Sequence, residues 1–162
     1  MTSKQPIEVF TPPNMLKAKV GNGGLELAAI KRGEQALHEL KGEFAEWIVE
    51  DVNRLVQRRD FYQAQTNNDS LSDLYRASHD LRGQASTFDF PLVARVASSL
   101  CNLTDDTSYG LELPITLINA HVDAIKVIVR DGIKDPSDKM ATTLAVELER
   151  QVGVFLEKHA RS

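Results

Sequence analysis

The sequence carries a single cysteine, Cys101, among its 162 residues. One thiol makes no intramolecular disulfide and no multi-cysteine zinc site, so a disulfide scaffold and a zinc–thiolate centre are both excluded. No apolar run is long enough to cross a bilayer, and residues 1–6 lack the apolar stretch of a signal peptide. A reducing cytoplasm is therefore the expected compartment, with no membrane partner. Basic charge is not in excess. Lys and Arg number 19 against 23 Asp and Glu, a net charge of −4. Nucleic acid is not the expected partner, because phosphate contacts need a basic face. Internal repeats, low-complexity tracts and glycine-rich phosphate loops are also missing. What is present is an ordinary soluble balance, 42% hydrophobic and 26% charged, in a length that suits one domain.

Residues 1–24 differ from the rest. They hold Pro6, Pro12, Pro13 and the run Gly21-Asn22-Gly23-Gly24, and read as an extended N-terminal arm. Residues 25–162 read as one helical domain. Leu37, Leu40, Phe44, Trp47, Ile48, Val52, Leu55 and Val56 recur at steps of three and four, one face of a helix that ends near Tyr62. Phe44 and Trp47 are expected in the core. Ser70-Leu71-Ser72-Asp73 has the form of a capping box, predicting a second helix from Ser70. Its core stripe is Leu71, Leu74, Ser78, Leu81, Ala85 and Phe88, and it breaks near Asp89. Pro91 suits the first turn of a third helix, with Val93, Val96, Ala97, Leu100 and Leu103 inward. The link between these two helices is short enough to force an antiparallel hairpin.

A polar loop over 104–112 precedes a fourth helix over 114–130, with Ile118, Val122, Ile125 and Val129 at core spacing. Asp135-Pro136-Ser137-Asp138 predicts a fifth helix capped by Asp135, burying Ala141, Leu144, Leu148, Val152 and Phe155. No stretch reads as a strand. The expected fold is all-α, most simply an up-and-down bundle.

The chemistry concentrates in His79-Asp80-Leu81-Arg82-Gly83-Gln84-Ala85-Ser86. With Ser78 and Leu81 on the core stripe, His79 is turned off the core. Tyr75 and Arg76 lie one turn before it, Arg82 and Gly83 one turn after it, on the same outward strip. Glycine costs about 1 kcal/mol against alanine in a helix interior; close approach of a partner to the backbone offsets such a cost. The bland alternative is a glycine that permits tight helix packing. Imidazole, with an ordinary pKa of about 6.5, is a competent nucleophile near neutrality without a strong base. A guanidinium beside it suits the negative charge of a phosphoryl group. The arrangement fits phosphoryl transfer through histidine.

This stretch resembles the signature of histidine-containing phosphotransfer (HPt) domains: a histidine, any residue, an aliphatic, Lys or Arg, a glycine, then small or polar residues. The similarity continues through Thr87-Phe88-Asp89-Phe90 and Val93-Ala94-Arg95-Val96-Ala97. The resemblance implies a four-helix bundle, here with an additional helix and the N-terminal arm. It implies His79 as phosphoryl acceptor, Arg82 as stabiliser of the phosphoryl group and Gly83 as the cleared position, with Tyr75, Arg76 and Ser86 in a partner-binding strip beside an edge of the first helix. The implied partners are response-regulator receiver domains and a hybrid sensor histidine kinase. The implied role is that of a monomeric phosphoryl carrier without kinase activity or a cofactor of its own, Mg²⁺ coming with the receiver. Two positions depart from the pattern. Asp89 stands where the family's turn usually has glycine. Cys101 stands where some members hold the ring with Gln or Glu, leaving Ser98, Cys101 and Asn102 as ring-orienting candidates.

Other readings compete. His38, His79-Asp80 and Asp123 follow the residue order of HD-type metal-dependent phosphohydrolases, though His38 neighbours core positions and the usual context after His-Asp is missing. His79-Asp80-Leu81-Arg82 also resembles the H-box of sensor kinases, but Gly83-Gln84 follows it and no nucleotide-binding domain is present. A helical adaptor with an incidental His79 is the third. His38, His121 and His159 are expected to be structural or solvated, and Cys101 a small semi-buried side chain.

Overall fold

A computed structural model describes residues 23–160, and the side chains of 27–35 and 46–160. Five α-helices and one short 3₁₀ turn account for the regular structure of the described residues: α1 (Gly23–Ala64), α2 (Asn68–Thr87), α3 (Pro91–Thr104), the 3₁₀ turn Asp106–Ser108, α4 (Ile115–Arg130) and α5 (Lys139–Ala160). No strand occurs among the described residues, so the all-α expectation holds. The expected arm lies outside the described residues except Gly23 and Gly24, which open α1. The chain divides into two compact units, Met1–Phe44 and Ala45–Ser162, with the boundary inside α1. In the first unit, Ala29 is buried and Leu27 exposed. The side chains of Leu37, His38, Leu40 and Phe44 lie outside the described residues.

The second unit is built around one apolar core. Residues 45–64 of α1 contribute Ile48, Val52, Leu55 and Tyr62; α2 contributes Leu71, Leu74, Leu81 and Ala85; α3 contributes Val93, Val96, Ala97, Leu100 and Leu103. From α4 come Ile118, Val122, Ile125 and Ile128, and from α5 Ala141, Ala145, Leu148 and Val152. Each large side chain buried this way contributes about 1.5–3 kcal/mol of transfer free energy. Helix α3 is central: it packs on α2, α4 and α5, and α4 packs on α5. Arg95 on α3 also forms a two-pronged ion pair with Glu149 on α5 at 2.7 and 2.8 Å.

Three core expectations are corrected. Trp47 is 47% exposed and Leu144 38% exposed, and Phe88 is half-buried. Trp47 and Leu144 sit one helical step from Ile48 and Ala145, at the flank of their stripes, where spacing alone does not separate core from rim.

The helix ends are set by local hydrogen bonds. The cap of α2 is Asn67, not Ser70. Asn67 Oδ1 accepts from the Ser70 amide at 2.8 Å, and Ser70 Oγ accepts from the Asn67 amide at 3.1 Å, closing a reciprocal box. At the other end Phe88 N–H donates to the Gln84 carbonyl and Phe90 N–H to that of Ala85, with Asp89 at φ +67° between them. This is the left-handed closure usually given to glycine. Pro91 then occupies the first turn of α3. For α5, Asp138 accepts from the Ala141 amide, whereas Asp135, the expected cap, closes the preceding turn onto Ser137. No helix among the described residues is long and apolar enough to cross a membrane.

Candidate functional site

Helix α2 positions the site through what it buries. Leu71, Leu74, Ala77, Ser78, Leu81 and Ala85 face inward, and Ser78 Oγ donates to the Leu74 carbonyl at 2.9 Å, which satisfies the one hydroxyl in that stripe. A step of about 100° per residue then turns residue 79 outward, and the His79 side chain is 51% exposed. Its ring is flanked by Tyr75, with ring centroids 5.9 Å apart and a 36° tilt. Nδ1 lies 4.0 Å from Asp80 Oδ1, too far for a hydrogen bond. Among the described residues no hydrogen bond reaches the ring.

Arg82 is half-buried one turn on. Among the described residues no carboxylate pairs with its guanidinium. Burial pushes the Cys101 thiol up to about 11, and the Arg82 charge opposes the rise. Arg82 follows His79 by three residues, one turn on along the same helix. Gly83 is exposed, and a Cβ placed there meets nothing within 4 Å. Tight packing among the described residues does not explain this glycine.

The remainder of the strip is also on the surface. Arg76 is exposed, with Nη1 3.8 Å from Asp73 Oδ1. Ser86 is exposed, and its hydroxyl donates to the Arg82 carbonyl at 3.1 Å. Tyr75 is half-buried. The three ring-orienting candidates fall on α3: Ser98 half-buried, Cys101 buried and Asn102 exposed. None bonds the His79 ring. Asn102 opens instead onto a groove of about 270 Å³ between α3 and α5, lined also by Ser99, Glu149 and Val152.

Two residues near the site carry more than their sequence context suggested. Trp47 packs its ring 5.7 Å from that of Phe88, tying α1 to the α2–α3 turn. Asp51 is buried in the flank of the α1 stripe; Oδ1 accepts from Arg54 at 2.8 Å, and Oδ2 has no partner among the described residues. Burial raises its carboxyl above the usual range, Arg54 opposes the rise, and the Asp80 charge adds to it. The signal of Asp51 in sequence is faint: an acid three residues after Ile48 and one before Val52 sits at a core boundary, where burial and exposure are equally compatible with the spacing.

The other histidines separate from the site. His121 is fully buried. Its Nδ1 lies 2.7 Å from the Leu117 carbonyl and its Nε2 2.9 Å from Ser99 Oγ. A carbonyl only accepts, so Nδ1 donates and Nε2 accepts from the serine hydroxyl. This is a satisfied core histidine, its pKa lowered by burial. His159 contacts the Phe155 carbonyl and ring of its own helix. The His38 side chain lies outside the described residues. Asp123 opens onto an apolar groove of about 540 Å³ beside Val49, Val52, Lys126 and Arg130. Among the described residues no group of three or more His, Cys, Asp or Glu is arranged to hold a metal ion.

In comparisons with known proteins, no family model matches this chain, and no curated protein or solved structure matches it.

Proposed function

We propose that this chain is a histidine phosphotransfer protein of a phosphorelay, taking a phosphoryl group from a receiver-domain aspartate onto His79 and passing it to another receiver. The observation that carries this reading is the grouping on one helix face: an exposed imidazole, a guanidinium at Arg82 one turn on, and Gly83 beside it, with neither a hydrogen bond to the ring, a carboxylate partner for Arg82 nor a neighbour over Gly83 among the described residues. The resemblance of residues 79–97 to HPt domains supports the same reading, and so does the all-helical architecture. The finer fold in this proposal is a four-helix bundle with one additional helix. In this reading the substrate is a phosphoryl group presented by another protein's surface.

The chemistry is positioning and charge stabilisation. The partner docks over the strip of Tyr75, Arg76, His79, Arg82, Gly83 and Ser86, beside the edge of α1 that carries Trp47. His79 attacks phosphorus in line with the departing aspartate oxygen. Arg82 holds the phosphoryl oxygens by charge-assisted hydrogen bonds, and the absent side chain at Gly83 lets the donor's phosphoryl-bearing surface come close to the helix. Mg²⁺ is supplied by the receiver. The carrier acts as a cytoplasmic monomer without ATP chemistry of its own, with receiver domains and a hybrid sensor kinase as its partners. Incubating the chain with a phosphorylated receiver domain tests this. An acid-labile label should pass to the wild-type chain and not to His79→Gln.

A further inference from the structure

We infer that Asp80 is the positioning residue for His79: its carboxylate accepts the Nδ1–H of the ring, holding the tautomer whose Nε2 lone pair faces the incoming phosphoryl group. A neutral imidazole has two tautomers, and the hydrogen bond made by one nitrogen decides which lone pair the other presents. In this chain Ser98, Cys101 and Asn102 leave the ring unbonded, and a buried Cys101 thiol is a weak partner in any case. Asp80 is the group at hand. Its Oδ1 stands 4.0 Å from Nδ1, which a small side-chain rotation converts into a hydrogen bond, as happens when catalytic contacts tighten on complex formation. Its carboxylate is 66% exposed and has no other hydrogen bond among the described residues, so it is free to turn. Tyr75 flanks the ring from one turn back and narrows the orientations it can take. Asp80 and Tyr75 together do from one helix what a group on the neighbouring helix would otherwise do.

The inference rests on the phosphotransfer reading of the same site, and the bond changes follow from it. The Nε2 lone pair forms the N–P bond as the P–O bond to the donor's carboxylate oxygen breaks, that electron pair leaving on the carboxylate. The ring, neutral before, is left positively charged with its proton still on Nδ1. Asp80 accepts this N–H and lies against the new charge, while Arg82 lies against the phosphoryl oxygens. In the onward step the same events run in reverse, and the ring returns to its neutral Nδ1–H form. Asp80 therefore serves the imidazole and Arg82 the phosphoryl group, one opposite charge for each half of the zwitterionic intermediate.

The test uses the full chain labelled with ¹⁵N, as wild type, Asp80→Asn and Asp80→Glu. The imidazole nitrogen shifts of neutral His79 report its tautomer, and a phosphorylated receiver domain provides the transfer rate. Both substitutions are at an exposed position of α2, and circular dichroism checks that the helix content is kept. Wild type should favour Nδ1–H. Asp80→Asn should shift the ring towards Nε2–H and slow transfer about tenfold, the scale of one charge-assisted hydrogen bond; Asp80→Glu should restore part of both. An Asp80→Asn protein with the wild-type tautomer, or one labelled as fast as wild type, overturns the inference alone. A wild-type chain that takes no label overturns the phosphotransfer reading, and the role of Asp80 with it.

Discussion

Gly83 separates stability from function more cleanly than any other residue of the site. Among the described residues nothing lies within 4 Å of the place of its missing Cβ, and a helix-interior glycine is about 1 kcal/mol less favourable than alanine. Gly83→Ala is therefore expected to raise the unfolding free energy by up to about 1 kcal/mol in urea titration, while slowing phosphoryl transfer from a receiver domain. A destabilised variant would mean that the fold itself needs the glycine. The residues of this strip were legible in the sequence because helical spacing alone puts 75, 76, 79, 82, 83 and 86 on one outward face once Leu74, Ser78 and Leu81 are inside. Distances between side chains were not legible. The Asp80 contact joins adjacent residues, which a helical wheel places about 100° apart, and the lack of any ring bond from Ser98, Cys101 or Asn102 depends on rotamers. Asp89 shows the same limit. Its identity alone does not specify the turn, and the backbone takes the left-handed conformation at φ +67°, one that aspartate tolerates better than most non-glycine residues.

Among the elements, the start of α2 decides where the site helix begins. Asn67 and Ser70 satisfy each other's amides, and Ser70 Oγ also donates to the Gln65 carbonyl at 2.6 Å. Asn67→Ala should cost about 1 kcal/mol of stability in denaturant unfolding. Asp73→Ala, which removes the acid of the box expected from sequence, should cost much less; the opposite order would restore Ser70 as the cap. Existence, order and type of the five helices were readable from apolar periodicity, because each buries a stripe against the same core. Their first residues were less so. Asn67, Ser70, Asp135 and Asp138 all have side chains suited to capping, and only the turn geometry before each helix selects Asn67 and Asp138. Stripe flanks were ambiguous for a related reason: Trp47 is one residue from Ile48, and the angular difference between rim and core is a single step.

At the scale of the whole molecule, the core ties α2 and α3 to α4 and α5, and one polar pair inside it, Ser99 with His121, responds to acid. Burial lowers the His121 pKa, so the unfolded chain binds a proton that the native protein refuses. Stability is then full above the unfolded histidine value of about 6.5 and falls as pH drops below it, down to the folded pKa. The thermal midpoint should decline on acidification through this window, well above the range where Glu149, held low by Arg95, begins to titrate. His121→Gln should flatten that part of the profile, and an unchanged slope would mean that another group carries it. Phosphoryl transfer through His79 is the function this scaffold is proposed to display. The most direct measurement is intact-protein mass spectrometry of the chain after incubation with a phosphorylated receiver domain, with acid treatment as control. One acid-labile phosphoryl group is expected on the wild-type chain, mapped to His79, and none on His79→Gln. Equal labelling of His79→Gln, or no labelling of wild type by any phosphorylated receiver tried, would contradict it.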